Sequence, residues 1–246
     1  MNSFFHIRFE FDKKEILQTF EKHEKGYICV ADGTVMRYAH KDMDYRRALD
    51  GALFSISDSS WTPMFLKWIY DINVQAYPGP QLFLDIIKKK KYRMAFMGGN
   101  KDLLEALKNN LSDIDPTIAD MFFFELPFCN VEDFDYQQIA QKVNEFRPDI
   151  VWVSLGAPKQ ELFVSKLNPF LNKGILVSVG AAFSFYSNLP GTKRAPEWMQ
   201  RAKLEFFYRM IKEPRKQWGR FLKYLVVLPS IILEELNNKR RIETVS

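Results

Sequence analysis

Apolar runs of five or six residues alternate along most of the chain with longer stretches in which apolar side chains return every three or four positions. The first pattern suits a strand buried on both faces and the second an amphipathic helix. Their alternation is how a parallel sheet covered by helices on both sides is written in sequence. Strands are expected at Tyr27–Ala31, Ala52–Ser57, Arg93–Met97, Met121–Leu126, Ile150–Leu155 and Ile175–Val179. Helices are expected at Lys13–His23, Met64–Ile72, Pro80–Lys90, Lys101–Leu111, Tyr136–Phe146 and Glu161–Leu167. The pattern predicts an α/β fold, a Rossmann-like parallel sheet sandwiched by helices. From about Gly191 no further strand follows, and the remainder reads as helices rich in aromatic and basic residues. This divides the chain into a core over 1–190 and a helical C-terminal appendage over 191–246. The four lysines Lys88 to Lys91 read as a solvated helix C-terminus, favoured by the helix dipole.

Composition narrows the class. A chain of 246 residues that is 47% hydrophobic can bury an ample core. Cys29 and Cys129 are far apart with no CxxC pair, so neither a disulfide framework nor a structural zinc site is expected. The N-terminus shows no export signal, and the protein is expected in the cytoplasm. Charge is unevenly placed: residues 191–246 hold 13 Lys and Arg against 6 Asp and Glu, and residues 1–190 hold 22 against 24. A basic tail carrying Trp218, Phe221, Leu222, Tyr224, Leu225, Val226, Val227 and Leu228 suits an anionic membrane surface rather than nucleic acid. Its apolar run from Tyr224 to Leu233 is broken by Pro229 and Ser230 and falls short of the ~20 residues that span a bilayer. A peripheral position on a membrane surface is therefore expected.

Ligands of an open parallel sheet sit outside the carboxyl ends of its strands. The residues there are Asp32 and Gly33, then Asp58, Ser59 and Ser60, then Gly98, Gly99 and Asn100, then Gly156, Lys159 and Gln160, and finally Gly180. Gly98-Gly99-Asn100 could bring backbone N–H groups close to a diphosphate, or be a glycine turn that Asn100 caps. A carboxylate in a cleft can take a proton from a hydroxyl group, and Asp58 is placed to do so; it could equally cap the helix that follows, as could Ser60 or Thr62. Asp32-Gly33 reads by itself as a turn. The DxD pairs Asp42/Asp44, Asp113/Asp115 and Asp133/Asp135 follow no buried strand and read as solvated carboxylates, so no metal site is expected. His6, His23 and His40 are scattered, and no catalytic or metal-binding histidine arrangement is visible in their spacing. Lys159, Arg194, Arg209, Arg215 and Arg220 could neutralise a diphosphate, or hold lipid phosphates, or keep a helix soluble.

Several blocks occur in order: Tyr77-Pro-Gly-Pro-Gln with Phe96-Met-Gly-Gly, Arg147-Pro-Asp-Ile with Leu155-Gly-Ala-Pro-Lys-Gln-Glu161, Gly191-Thr-Lys-Arg-Ala-Pro-Glu-Trp198, and Leu204-Glu-Phe-Phe-Tyr-Arg209 with Glu213-Pro-Arg215. Together they resemble the WecG/TagA/CpsF family of glycosyltransferases, over roughly Gly26 to Leu228. The resemblance implies a GT-E-type Rossmann-like core with a membrane-targeting appendage, and metal-independent, inverting transfer. The sugar would be N-acetylmannosamine or a related hexose, moved from a UDP-sugar donor to a polyprenyl-diphosphate-linked glycan in cell-surface polysaccharide synthesis at the inner face of the cell membrane. It places the catalytic aspartate on Asp58, the active-site glutamine on Gln160, and the diphosphate-binding arginines on Arg209, Arg215 and Arg220. Gly98, Gly99, Asn100, Gly156, Lys159, Gln160, Gly180 and Arg194 would then line the substrate site.

The chain departs from that family at Ser59, Asp32, Val30 and Ala181, where glycine, asparagine, threonine and glycine are usual. Asp32 is thus an alternative base, alone or sharing a proton with Asp58. No cofactor and no nucleic-acid partner is expected, and a homo-oligomer stays open. The competing readings are a DxD metal-dependent glycosyltransferase and a membrane-associated nucleotide-binding scaffold without turnover. A Rossmann oxidoreductase is disfavoured because GxGxxG is missing.

Overall fold

The computed structural model describes residues 3–190, 211 and 214–245. Six parallel strands form the central sheet: β3 (Lys25–Ala31), β4 (Phe54–Ser57), β5 (Met94–Gly98), β6 (Phe122–Phe124), β7 (Ile150–Ser154) and β8 (Gly174–Ser178). They lie in the order β4-β3-β8-β7-β5-β6. Each expected strand is present within a residue or two at its ends. A two-stranded hairpin, β1 (Ser3–Phe4) and β2 (Ile7–Arg8), precedes them, and the chain just beyond it runs beside β4 through a parallel bridge between Phe9 and Ser55.

The helices are α1 (Lys13–Lys22), α2 (Gly33–Lys41), α3 (Met43–Asp50), α4 (Trp61–Tyr70), α5 (Gly79–Ile87), α6 (Lys101–Ser112), α7 (Tyr136–Phe146), α8 (Lys159–Leu167), α9 (Ala182–Tyr186) and α10 (Pro214–Val245). Strand side chains alternate between two apolar layers, as the pleat requires. Tyr27, Cys29, Ala31, Val151, Val153 and Leu176 face α2, α3, α4, α7, α8 and α10. Ile28, Val30, Phe96, Trp152, Ile175 and Val177 face α1, α5, α6 and α9. The α/β sandwich read from the sequence is therefore the observed fold.

Asx residues set many of the helix starts. Asp12, Asp32, Asp42, Asn100 and Asp135 each accept a hydrogen bond from a backbone N–H in the first turn of the helix they precede. Three helices, α2, α3 and α9, were not expected. Each is under three turns long, so its apolar positions barely repeat. Asp42 is both the C-cap of α2 and the N-cap of α3. Lys88 to Lys91 are exposed just past α5, as the lysine run suggested.

The C-terminal helix is not a loose tail. Tyr224, Val227 and Ile231 of α10 are buried in the same cluster as the strands. Glu235, also buried, accepts the Phe5 N–H at 2.9 Å and the Tyr70 hydroxyl at 2.7 Å. Lys239 Nζ donates to the Ile69 carbonyl at 2.8 Å. Among the described residues no helix is long and apolar enough to cross a membrane.

Candidate active site

The carboxyl ends of β4, β3, β8, β7 and β5 form one rim. Ala31 is paired with Ser57, Val153 with Ser178 and Gly98 with Ser154, so the residues one or two beyond each strand come out side by side. Neighbouring exits diverge: β7 leads to α8 on one face, and β5 leads to α6 on the other. Such divergence opens a crevice at the sheet edge.

Asp32 and Asp58 leave adjacent strands immediately after the paired Ala31 and Ser57, so both carboxylates start from the same part of the rim. The Asp58 N–H continues the ladder by donating to the Ala31 carbonyl at 3.0 Å. Its Oδ1 accepts the Gly79 N–H at 2.8 Å. Gly79 is the first residue of α5, so Asp58 caps a helix, but not the adjacent α4 that the sequence suggested. The start of α4 has Ser60 as its N-cap without a side-chain hydrogen bond. Asp32 Oδ1 accepts the Thr34 and Val35 N–H groups at 2.8 and 3.0 Å, so the supposed turn is the N-cap of α2.

The Gly156 loop is held by its own helix. Pro158 enters through a cis peptide bond, and α8 presents Gln160 and Glu161 inward. Gln160 Oε1 accepts the N–H of Gly156 at 3.1 Å and of Gly180 at 3.0 Å, tying the exit of β7 to the exit of β8. Its Nε2 donates to Glu161 Oε1 at 2.7 Å. Gln160 is only 3% exposed, so its amide is engaged inside the protein. The structure thus makes Gln160 a strut beneath the rim, and the N–H groups of Gly156 and Gly180 are already spent on it.

Glu161 is the residue that sequence reasoning missed. It is fully buried, with the Tyr45 hydroxyl donating to Oε2 at 3.0 Å and Ser178 Oγ at 3.4 Å from Oε1. Burial pushes its carboxyl up to about 7, against the pull of Gln160 and Tyr45, and the charge of Asp32 adds to the rise. A legible signal existed: Glu161 stands three residues before the apolar Val164, about one helical turn, where a carboxylate has no place unless it is partnered.

The other expected residues divide. Gly98 and Gly99 have φ of +109° and +74°, and a Cβ on Gly98 would lie 2.5 Å from the Ser154 carbonyl oxygen. Glycine is therefore required at position 98 by the close approach of β7. Asn100 caps α6 through Leu103 N–H at 3.0 Å. Lys159 points along the outer edge, donating to the Cys129 carbonyl and lying 4.9 Å from the Phe134 ring centroid. Arg194 and Arg209 lie outside the described residues. Arg215 and Arg220 belong to α10, with side chains outside the described ones; Arg220 stands one turn before Tyr224. The Tyr224 ring lies over Gly33, 3.1 Å from where a Cβ would be, which brings α10 to the Asp32 end of the rim. A hollow of about 500 Å³ lined by Gln137, Ala140, Gln141, Asn144 and Phe170 touches none of these residues.

Residues 4–241 match the model of the family described as "Glycosyl transferase WecG/TagA/CpsF family". The chain belongs to that family. It is 29% identical over 227 residues to an N-acetylglucosaminyldiphosphoundecaprenol N-acetyl-beta-D-mannosaminyltransferase of Bacillus subtilis (strain 168), covering 88% of this chain and 86% of the relative. A Bacillus spizizenii protein of the same name is 27% identical, with 90% and 83% covered. A Staphylococcus aureus (strain MW2) protein, again of that name, is 21% identical, with 88% and 82% covered. The chain is a glycosyltransferase. In this WecG/TagA/CpsF member one carboxylate of each DxD pair serves as a helix cap: Asp42 Oδ1 takes the Asp44 and Tyr45 N–H groups, Asp115 Oδ1 takes Thr117, and Asp135 Oδ1 takes Gln138. Asp115, expected to be solvated, is buried.

Proposed function

We propose that this glycosyltransferase moves N-acetylmannosamine, or a closely related sugar, from a UDP-sugar to an N-acetylglucosaminyl-diphosphoundecaprenol acceptor, with inversion. The names of the relatives support the sugar and the acceptor. The observation that carries the chemistry is the pair of carboxylates, Asp58 and Asp32, leaving adjacent strands side by side at the rim, on which β8 alone separates β3 from the β7 exit that carries the Gly156 loop.

In a single displacement the acceptor hydroxyl must lose its proton as it attacks the anomeric carbon, and the diphosphate must leave with its charge neutralised. Asp58 is the base: its carboxylate is oriented by the Gly79 N–H, and the hydroxyl proton passes to it. Asp32 is the weaker alternative, because one of its oxygens is shared between two cap N–H groups. The Gly98–Gly99 turn at the start of α6 offers N–H groups and a positive helix end to the UDP diphosphate. Gln160 positions the Gly156 and Gly180 turns rather than touching the sugar. The arginines Arg194, Arg209, Arg215 and Arg220 supply the remaining cationic charge.

The appendage would bring the enzyme to its lipid-linked substrate. Along α10, Trp218, Leu222, Leu225, Val226 and Leu233 are exposed on the side opposite Tyr224, Val227 and Ile231. With the net positive charge of residues 191–246, this face suits the anionic inner leaflet. The decisive experiment measures UDP release from UDP-N-acetylmannosamine with a polyprenyl-diphosphate N-acetylglucosamine analogue. Turnover that survives EDTA and disappears in Asp58→Asn supports this reading; full activity in that variant removes Asp58 as the base.

A further inference from the structure

Folding gathers three residues that the sequence leaves far apart. His6 lies in the β1–β2 turn, where Phe5 and His6 adopt φ of +55° and +60°. His40 lies in the last turn of α2, and Glu234 in α10. His6 Nε2 is 2.7 Å from Glu234 Oε1, and His40 Nδ1 is 2.8 Å from Glu234 Oε2. One ligand atom from each residue falls within 4.8 Å of the others. The side chains are 21%, 19% and 39% exposed, and the His40 Nδ1 atom itself is buried.

The protons around His40 show what is missing. Ser230 Oγ donates its single proton to the Val227 carbonyl at 2.7 Å, so at its 3.1 Å contact with His40 Nε2 it accepts. His40 therefore carries hydrogen on Nε2, and in the neutral ring Nδ1 is a bare lone pair. That lone pair faces a carboxylate oxygen at 2.8 Å, and Nδ1 has no hydrogen-bond partner of acceptable geometry. Two lone pairs in contact repel unless a cation stands between them. The neighbouring Glu235 cannot supply a donor, since its oxygens are occupied by the Phe5 N–H and the Tyr70 hydroxyl.

We propose that His6 Nε2, His40 Nδ1 and a Glu234 oxygen bind a divalent ion of the zinc class. Two imidazoles and one carboxylate are a donor set for zinc rather than for magnesium or calcium, which prefer all-oxygen cages. Zinc–ligand bonds of about 2.0 Å in a tetrahedron would separate the ligand atoms by about 3.3 Å; each histidine nitrogen now stands 2.7 or 2.8 Å from its own Glu234 oxygen and the three ligand atoms lie within 4.8 Å of one another, so side-chain rotation on the order of an ångström completes the site. Water fills the fourth position, and Ser230 fixes the His40 ring as an outer partner. The proton that His6 Nε2 shares with Glu234 Oε1, and any proton on His40 Nδ1, leave to solvent when the ion binds. The ion would clip α10 to α2 and to the N-terminal hairpin. It sits at the far end of α2 from Asp32, about 13 Å along a nine-residue helix, so the role is to hold α10 in place and not to activate the substrate.

The test uses the full-length chain without a histidine tag, stripped of metal by dialysis against a chelator. Calorimetric titration with Zn²⁺ should give one site per chain and raise the melting temperature, and Co²⁺ should produce the visible absorption bands of a four-coordinate site. His40→Gln and Glu234→Gln should each weaken zinc binding more than tenfold and lose the cobalt bands, while His23→Gln, at the exposed C-cap of α1, should leave both unchanged. If wild-type protein shows no saturable zinc site, or His40→Gln binds zinc as well as the wild type, a proton fills the gap and the proposal fails.

Discussion

At the scale of single residues, the chemistry of the rim depends on which polar groups are spent on the protein itself. Gln160 is fully engaged, so Gln160→Ala would strand the Gly156 and Gly180 N–H groups. Both N–H groups are only partly buried, so water replaces part of what is lost, and a stability loss of about 1–2 kcal/mol in urea denaturation is expected. Asp58→Asn keeps the shape and removes the base. Transfer should fall by about 10²–10⁴-fold in the UDP-release assay, with UDP binding by calorimetry nearly unchanged. Glu161 gives a pH signature. Its folded carboxyl, raised from 4.5 to about 7, holds a proton that the unfolded chain has already lost. Its contribution is therefore fully present below about pH 4.5 and is lost as pH rises to 7, a total on the order of 3 kcal/mol. Glu161→Gln should remove that slope, so the variant gains on the wild type in denaturation at pH 8 relative to pH 5.

At the scale of elements, the strands were legible because all six are apolar runs of nearly fixed length bounded by turn residues. Tyr136–Phe146 was legible end to end for a related reason: Asp135 caps it and Ile139, Ala140 and Val143 repeat at helical spacing. Helices α2 and α3 were not, since eight or nine residues give too few turns for a period to show. The helix α10 carries two faces of opposite use. Replacing Leu222 and Val226 by glutamate would place charge on the exposed face without touching the core. Each change should weaken binding to anionic liposomes by about tenfold or more in a sedimentation assay, given about 1.5–3 kcal/mol per apolar side chain withdrawn from the membrane. Unchanged binding would mean that this face does not meet lipid.

At the scale of the whole molecule, α10 and the core share one apolar cluster, although the sequence changes character at Gly191. Ile231 is 3% exposed, packed with residues of the first two hundred. Ile231→Ala should cost about 2–5 kcal/mol and lower a single unfolding transition of the entire protein. Two separate transitions would instead make the appendage an independent unit. The reason the boundary looked sharper in sequence is that composition reports surface chemistry, which differs between the halves, whereas the contacts of Glu235 with Phe5 and Tyr70 join residues at opposite ends of the chain.

The sequence by itself determined the alternating strand and helix order, the parallel sheet, the family, and the set of polar residues that follow strand ends. Those follow from local rules: apolar period, turn chemistry and ordered motifs act over a few residues at a time. Only the tertiary structure decided that Asp58 caps α5, that Gln160 braces two loops, that Glu161 is buried beneath the rim, and that His6, His40 and Glu234 converge. Apart from the bond of Gln160 to Gly156, each of these joins residues twenty or more apart in sequence. The strand order β4-β3-β8-β7-β5-β6 that brings such residues together is set by how the layers pack, which no local pattern records.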